Sequence, residues 1–477
     1  MASETKRKWY DFSWYAAEDS KEERRFIRKL DLLIVPYAFI SYWVKYIDQA
    51  NLNNAYVAGM KEDLGFHGNE LVQLQTFYIV GAVVGQLPFL FLFTYVPLNI
   101  LIPFMDVCWG VFTLLQFRVT GFAEIAAYRF LVGFFEAAFF PVMHYLFGSW
   151  YRGDEIGRRG GIFYVGLSLG TLTAGLIQAG ASARLNGVNG LAGWRWMYII
   201  CALITIPIGM LGYFVIPGTP DQPNRLVLTE ADVIVGEARL KRAGHQSHGK
   251  LRVRNLKSAL ARPQFWAIIV VDVFFWNSGL AGSTGSFLLW IKSLGRYSQS
   301  RTNELGTIAP ALGIFYTLLV CFLSDLVLGP AWAITLAHTW NAIGLVILTA
   351  WNVPESAKWF AYATNYSSQA MSSVLHGWVN AQLRDAPAER AFTLVLINAI
   401  SQSTTAWTPL LVFPTVEAPR FAKGYAFSLA CAIVLIVLVH VLNAYLKRKE
   451  KLKSELNDAG ETVEEASLET QTGNDKK

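Results

Sequence analysis

Apolar residues in this chain gather in runs of about twenty, and short polar or charged intervals separate them. A run of that length crosses the hydrocarbon core of a bilayer as a helix. On that rule, helices are expected at residues 32–57, 71–93, 98–117, 123–147, 160–182 and 195–216. After a polar interval they resume at 264–290, 304–326, 331–351, 355–377, 391–413 and 421–446. The pattern predicts an all-α membrane protein, with twelve transmembrane helices in two pseudo-symmetric six-helix bundles. The expected organisation is a cytoplasmic N-terminal segment over 1–31, a first bundle over 32–216 and a cytoplasmic linker over 217–262. A second bundle over 263–446 and a disordered cytoplasmic tail over 447–477, which lacks apolar periodicity, complete the chain. Within the linker, "VLTEADVIVGEARLKRAG" reads as an amphipathic helix, with Thr229 as its N-cap and acidic residues in the first turn. Twelve spans place both termini on one side. Lysine and arginine concentrate in the loops of that side, which the positive-inside rule assigns to the cytoplasm.

Composition agrees with a membrane protein: 53% of the 477 residues are hydrophobic and only 16% charged. The net charge of +6 could signal a nucleic-acid partner, but the basic residues lie between apolar runs and form no patch, so none is expected. All four cysteines fall inside predicted spans, with no metal-ligand spacing and no disulfide framework. The seven histidines are scattered, and neither HExxH nor GxSxG occurs, so no enzyme, metal or cofactor is expected. No cleavable leader is read at the start; the basic stretch "KEERRFIRKLD" runs straight into the first span. The aromatic "KWYDFSWY" before it is suited to docking on a neighbouring surface. The two halves look related. "GSWYRGDEIGRR" after the fourth span and "GWVNAQLRDAPAERA" after the tenth both place a Trp at the membrane exit, then Arg, an acid and a further Arg.

Charges inside the spans carry the chemistry. In "LLIVPYAFISYWVKYIDQANLNNAYVAGM", Lys45 and Asp48 sit mid-membrane, where each charge costs roughly 2.5–3.5 kcal/mol on insertion scales. The fourth span, "AAYRFLVGFFEAAFFPVMHY", carries Arg129 and Glu136 two turns apart on one face. Such charges face a bundle interior or a watery cavity and pair with one another. A purely architectural network is the alternative, although apolar replacements of buried pairs often stabilise. The second half offers neutral polar groups. Lys358, Tyr362, Asn365, Gln369, Ser372 and His376 form a stripe along the tenth span, read as cavity lining. Asn398, Gln402 and Thr405 mark the eleventh span, Asp272, Trp276 and Asn277 the seventh, and Tyr164, Ser168 and Thr171 the fifth. The sets on the fifth and eleventh suit hydrogen bonding between helices. Pro141 and Pro310 are expected kink points. A cationic cavity rimmed by amides and aromatic rings suits a small organic anion, with Arg129 as a carboxylate fork and Lys45 as a second positive charge. The candidate substrate-binding set is Arg129, Lys45, Tyr164, Asn365, Gln369, Asn398 and Trp276. Glu136 and Asp48 are the candidate proton-coupling pair.

"YIDQANLNNAYVAGMKEDLGFHGNE", "RFLVGFFEAAFFPVMHYLFGSWYRGDEIGRRGGIFY" and "GLAGWRWMYII" with "IPIGMLGYFVIPGTPDQP" resemble fungal members of the anion:cation symporter (allantoate permease-like) family of the major facilitator superfamily. The nearest branch is the pantothenate transporter group, beside the vitamin H transporters, and the likeness runs from about residue 8 to 450. The resemblance implies the major facilitator fold and alternating access. It also implies proton-coupled import of an organic anion, pantothenate or a related vitamin carboxylate, across the plasma membrane. The expected partners are that anion, protons and membrane lipids, and the expected state is a monomer. The family's Arg and Glu two turns apart match Arg129 and Glu136. Its "Asp-Arg-x-Asn" acid matches Asp48 in "DQAN", with Gln49 in place of the Arg and Lys45 one turn earlier. The superfamily loop after the second span is eroded in "FTYVPLN", while Asp325 in "LSDLVLG" keeps its second-half counterpart. Arg152, Asp325 and Arg384 are the expected gating residues. The alternatives are a carrier that exports a secondary metabolite and, from another class, a nutrient receptor that no longer transports.

Overall fold

A computed structural model describes residues 14–15, 18–242, 260–368, 372–382 and 387–474. Helix α1 (Lys21–Ala55) starts from a capping box in which the Ser20 hydroxyl accepts from Glu23 N and the Glu23 carboxylate accepts from Ser20 N. It is followed by α2 (Glu70–Tyr95), α3 (Leu98–Leu115), α4 (Phe122–Glu136), α5 (Phe139–Trp150), α6 (Gly153–Arg184) and α7 (Gly193–Val215). Helices α4 and α5 are one span broken at Ala137 and Ala138. Pro141 has no N–H for the Ala137 carbonyl four residues earlier, so the ladder fails there and Glu136 ends α4. The same device separates α11 from α12 ahead of Pro310.

A small hairpin, β1 (Gly218–Thr219) with β2 (Gln222–Pro223), opens the linker, and α8 (Glu230–Arg242) follows. The second half comprises α9 (Pro263–Ser278), α10 (Ser286–Ser293), α11 (Gln299–Gly306), α12 (Ile308–Leu323), α13 (Gly329–Ala350), α14 (Glu355–Thr364), α15 (Ser372–Gln382), α16 (Pro387–Val412) and α17 (Ala422–Asn474). Among the described residues, eight helical stretches are long and apolar enough to cross a bilayer. The twelve-span reading adds the helical segments in 70–95, 263–293, 355–367 with 372–382, and 387–412. The backbone stays helical to Asn474, where the sequence reading places a disordered tail. Lysine and glutamate are abundant there, and they favour helix without any apolar face to pack.

In the first half α1 packs on α6, α2 on α4, and α3 on α7; in the second, α13 packs on α17 and α9 on α16 and α17. Helices α2 and α4 approach through glycine. A Cβ on Gly133 would lie 2.0 Å from the Tyr78 carbonyl oxygen, and one on Gly81 2.1 Å from that of Phe130. The halves meet along α2–α16 and where α6 meets α11 and α12. Many of their mutual hydrogen bonds lie at the end of the bundle away from the chain termini. There Asn53 Nδ2 donates to Ser283 O (3.3 Å), Val416 N to Asn69 Oδ1 (3.1 Å) and Ser300 Oγ to Ala179 O (3.0 Å), and Lys292 pairs with Glu62 at 2.8 Å. One apolar cluster, containing Tyr56, Phe66, Trp290 and Phe413, fills that end across both halves.

The linker helix is tied to the first half rather than solvated on its own. Arg239, 1% exposed, binds Asp19 (3.0 Å) and Glu155 (2.5 Å), and Lys29 binds Asp232 (2.7 Å). Gly236 lets α8 close on Phe26 and Trp150, whose indole donates to Gly218 O. The segment ahead of α1 docks on the same face. Trp14 Nε1 donates to Asp31, and Arg159 bridges Asp31 through two hydrogen bonds (2.6 and 2.9 Å) while stacking on Tyr151.

Candidate functional site

A central cavity lies between the halves, with ≈ 1470 Å³ of empty space including its open mouth. Lys45 and Gln49 reach it from α1, Tyr78 from α2, and Arg129 and Glu136 from α4. Trp276 of α9, His376 of α15, and Asn398 and Gln402 of α16 form the opposite wall.

Arg129 is 2% exposed. Its guanidinium stacks on the Tyr78 ring at 4.7 Å, Nη1 reaches the Asp48 carbonyl at a long 3.5 Å, and Nε has no hydrogen-bond partner. A buried guanidinium normally fills its donors. Here Nε is left without a partner. Glu136 has no exposed surface and neither of its oxygens holds a hydrogen bond; Lys45 Nζ stands 3.7 Å from Oε1. That separation is an ion pair without a hydrogen bond, so the partnership is easily exchanged. Apart from His376, the wall opposite this charged pole carries amides, hydroxyls and aromatic rings. Gln86 donates to Gln402 across the halves (3.0 Å), and Gln75 donates to Asn53 (2.7 Å).

The structure sorts the candidate residues. Lys45, Arg129, Glu136, Trp276 and Asn398 line the cavity together. Asp48 does not: it is buried and accepts from Thr205 of α7 at 3.0 Å, while Gln49, one position on, turns inward. Tyr164 does not line it; it packs with His144 against Tyr42 and Phe140, which do. Asn365 lines a second, smaller cavity with Thr171 and Tyr366. The stripe of the tenth span is therefore not one lining. The helix breaks into a 3₁₀ turn at Asn365–Ser367; Tyr362 is committed to Tyr425 (2.7 Å), Lys358 lies over Trp351, and of the stripe's described side chains His376 alone reaches the main chamber. Gln369, Arg384 and the side chains of Ser372 and Asp325 lie outside the described residues. Arg152 pairs with Glu18, inside the first half. Tyr78 was missed because an aromatic residue in an apolar run carries no signal of its own.

Residues 38–409 match the model of the Major Facilitator Superfamily. The chain is 40% identical over 454 residues to the Vitamin H transporter of Saccharomyces cerevisiae, covering 93% of this chain and 76% of that protein. It is 31% identical over 445 residues to the pantothenate transporter liz1 of Schizosaccharomyces pombe, covering 92% and 86%. Its backbone matches that of a D-xylose-proton symporter with a TM-score of 0.63 at 15% identity, over 86% of this chain and 97% of that one, a likeness of fold.

Proposed function

The chain belongs to the major facilitator superfamily, in the group that holds the vitamin H and pantothenate transporters, and from that membership we propose that it imports a small vitamin carboxylate together with protons. Import runs across the plasma membrane, with both termini in the cytoplasm. The observation that carries this reading is the half-satisfied Arg129 fork on the cavity wall beside the loose Lys45–Glu136 pair. A carboxylate bound to Arg129 also draws Lys45. Glu136 then loses its counter-charge and takes up a proton, because an unpaired buried carboxylate is costly. Anion and proton thus enter the chamber together and leave together. The neutral amides and Trp276 at the other pole suit the uncharged body of such a vitamin. Vitamin H and pantothenate both have that form, a terminal carboxylate on a neutral polar frame.

Labelled vitamin H and pantothenate uptake into proteoliposomes under an inward proton gradient tests this. The wild-type protein accumulates at least one of them. Glu136→Gln abolishes gradient-driven accumulation and retains counterflow. Full accumulation by that variant removes Glu136 from coupling, and absence of flux for any small carboxylate removes the substrate class.

A further inference from the structure

The second half carries an acid–base pair that the mechanism above does not use. His376 lies on the cavity wall, with Nε2 3.8 Å from Asp272 Oδ1. Asp272 is 2% exposed, neither of its oxygens holds a hydrogen bond, and its polar neighbours are Ser401 and Trp276. Among the described residues no lysine or arginine pairs with it. A carboxylate so enclosed must be neutralised, either by its own proton or by a protonated imidazole. The His376 ring also meets Phe140 of the first half at 6.0 Å, so it sits where the two halves touch, in the same chamber as Arg129.

We propose that His376, held by Asp272, is the second half's ionisable contact with the transported anion. The proposal rests on the anion-import reading above. With the imidazole protonated, a carboxylate in the chamber is gripped from both halves, by Arg129 and Lys45 on one side and His376 on the other. A ligand that bridges both halves stabilises the closed arrangement over either open one. Asp272 acts through His376, as a positioning residue. Other titratable groups near His376 are His144 on α5, which packs on Tyr164 of α6, and, lining the same chamber, Lys45, Tyr42 and Tyr46 on α1, Tyr78 on α2, and Arg129 and Glu136 on α4. On α13, His338 is engaged with Ser278; α16 brings the neutral Ser401 to Asp272 and the neutral Asn398 and Gln402 to the chamber.

The test is vitamin counterflow in proteoliposomes with equal pH on both faces, which removes the driving force and leaves KM. In the wild-type protein KM rises about tenfold between about pH 5 and 8, the range in which an imidazole changes charge. His376→Gln shows the high KM already at the acid end, and His376→Arg keeps the low KM across the range. Asp272→Asn moves the midpoint of the KM profile, and an unmoved midpoint removes Asp272 from the positioning of His376. Contributions from Lys45, Glu136 and His144 are common to wild type and variants, so the difference between curves isolates His376. A His376→Gln profile that superimposes on wild type overturns the proposal, as does a His376→Arg profile that still rises. Wild-type protein that exchanges neither vitamin at any pH overturns the import reading, and this proposal with it.

Discussion

Arg129 shows how far a single residue could be read in advance. A charge inside an apolar run cannot be hidden, so Lys45, Asp48, Arg129 and Glu136 stood out, and three of them face one chamber. Asp48 turned the other way because three residues along a helix rotate the side chain about 60° from its starting face. Lys45 and Gln49, four apart, share the inward face, and Asp48 falls toward Thr205. Periodicity sees a broad polar face and cannot divide it that finely. What Arg129 contributes is its planar fork on the Tyr78 ring. Lysine keeps the charge and loses the fork, so Arg129→Lys is expected to raise the KM for the vitamin roughly 10- to 100-fold, about 1.5–3 kcal/mol for a charged hydrogen bond. Uptake kinetics measure it, and an unchanged KM would take Arg129 out of the binding site.

Helices place these side chains through contacts that leave little room. Because Gly133 rests against the Tyr78 carbonyl, the α2–α4 spacing sets the Arg129–Tyr78 stack. Gly133→Ala must push the two backbones apart; the expected outcome is a loss of about 1–3 kcal/mol of stability together with weakened uptake. Thermal unfolding in detergent reads the first part, and a variant as stable as wild type would show that the spacing is adjustable. The breaks ahead of Pro141 and Pro310 were legible because proline removes a donor wherever it stands. The break at Asn365–Ser367 was not, since a regular polar stripe presupposes an unbroken helix. Helix α8 is held by charge. Burial pushes the Asp232 carboxyl up, but its bonds to Lys29 and Thr229 outweigh that and hold it below the usual range. A carboxyl lowered in this way stabilises docking above its unfolded value of about 3.9 and loses it only as pH falls through the lower folded value. The linker contact therefore persists through the mildly acid range.

Across the whole molecule, the bundles were read from apolar runs, their kinship from the repeated Trp–Arg–acid–Arg exits, and a chamber between them from charges inside the spans. The contact pattern that joins the halves was not, because it depends on pairs such as Asn69 with Val416 that are distant in sequence and ordinary in composition. The linker is the clearest revision. With Arg239 buried between Asp19 and Glu155, α8 is bonded to the first bundle, and residues 217–242 are expected to move with it. A gene severed within 243–259 would then yield two polypeptides, each carrying its own bundle intact. Co-expressed, they should find one another and restore vitamin uptake, whereas severing at 217 strips α8 from its anchor and should leave the reunited pieces inactive.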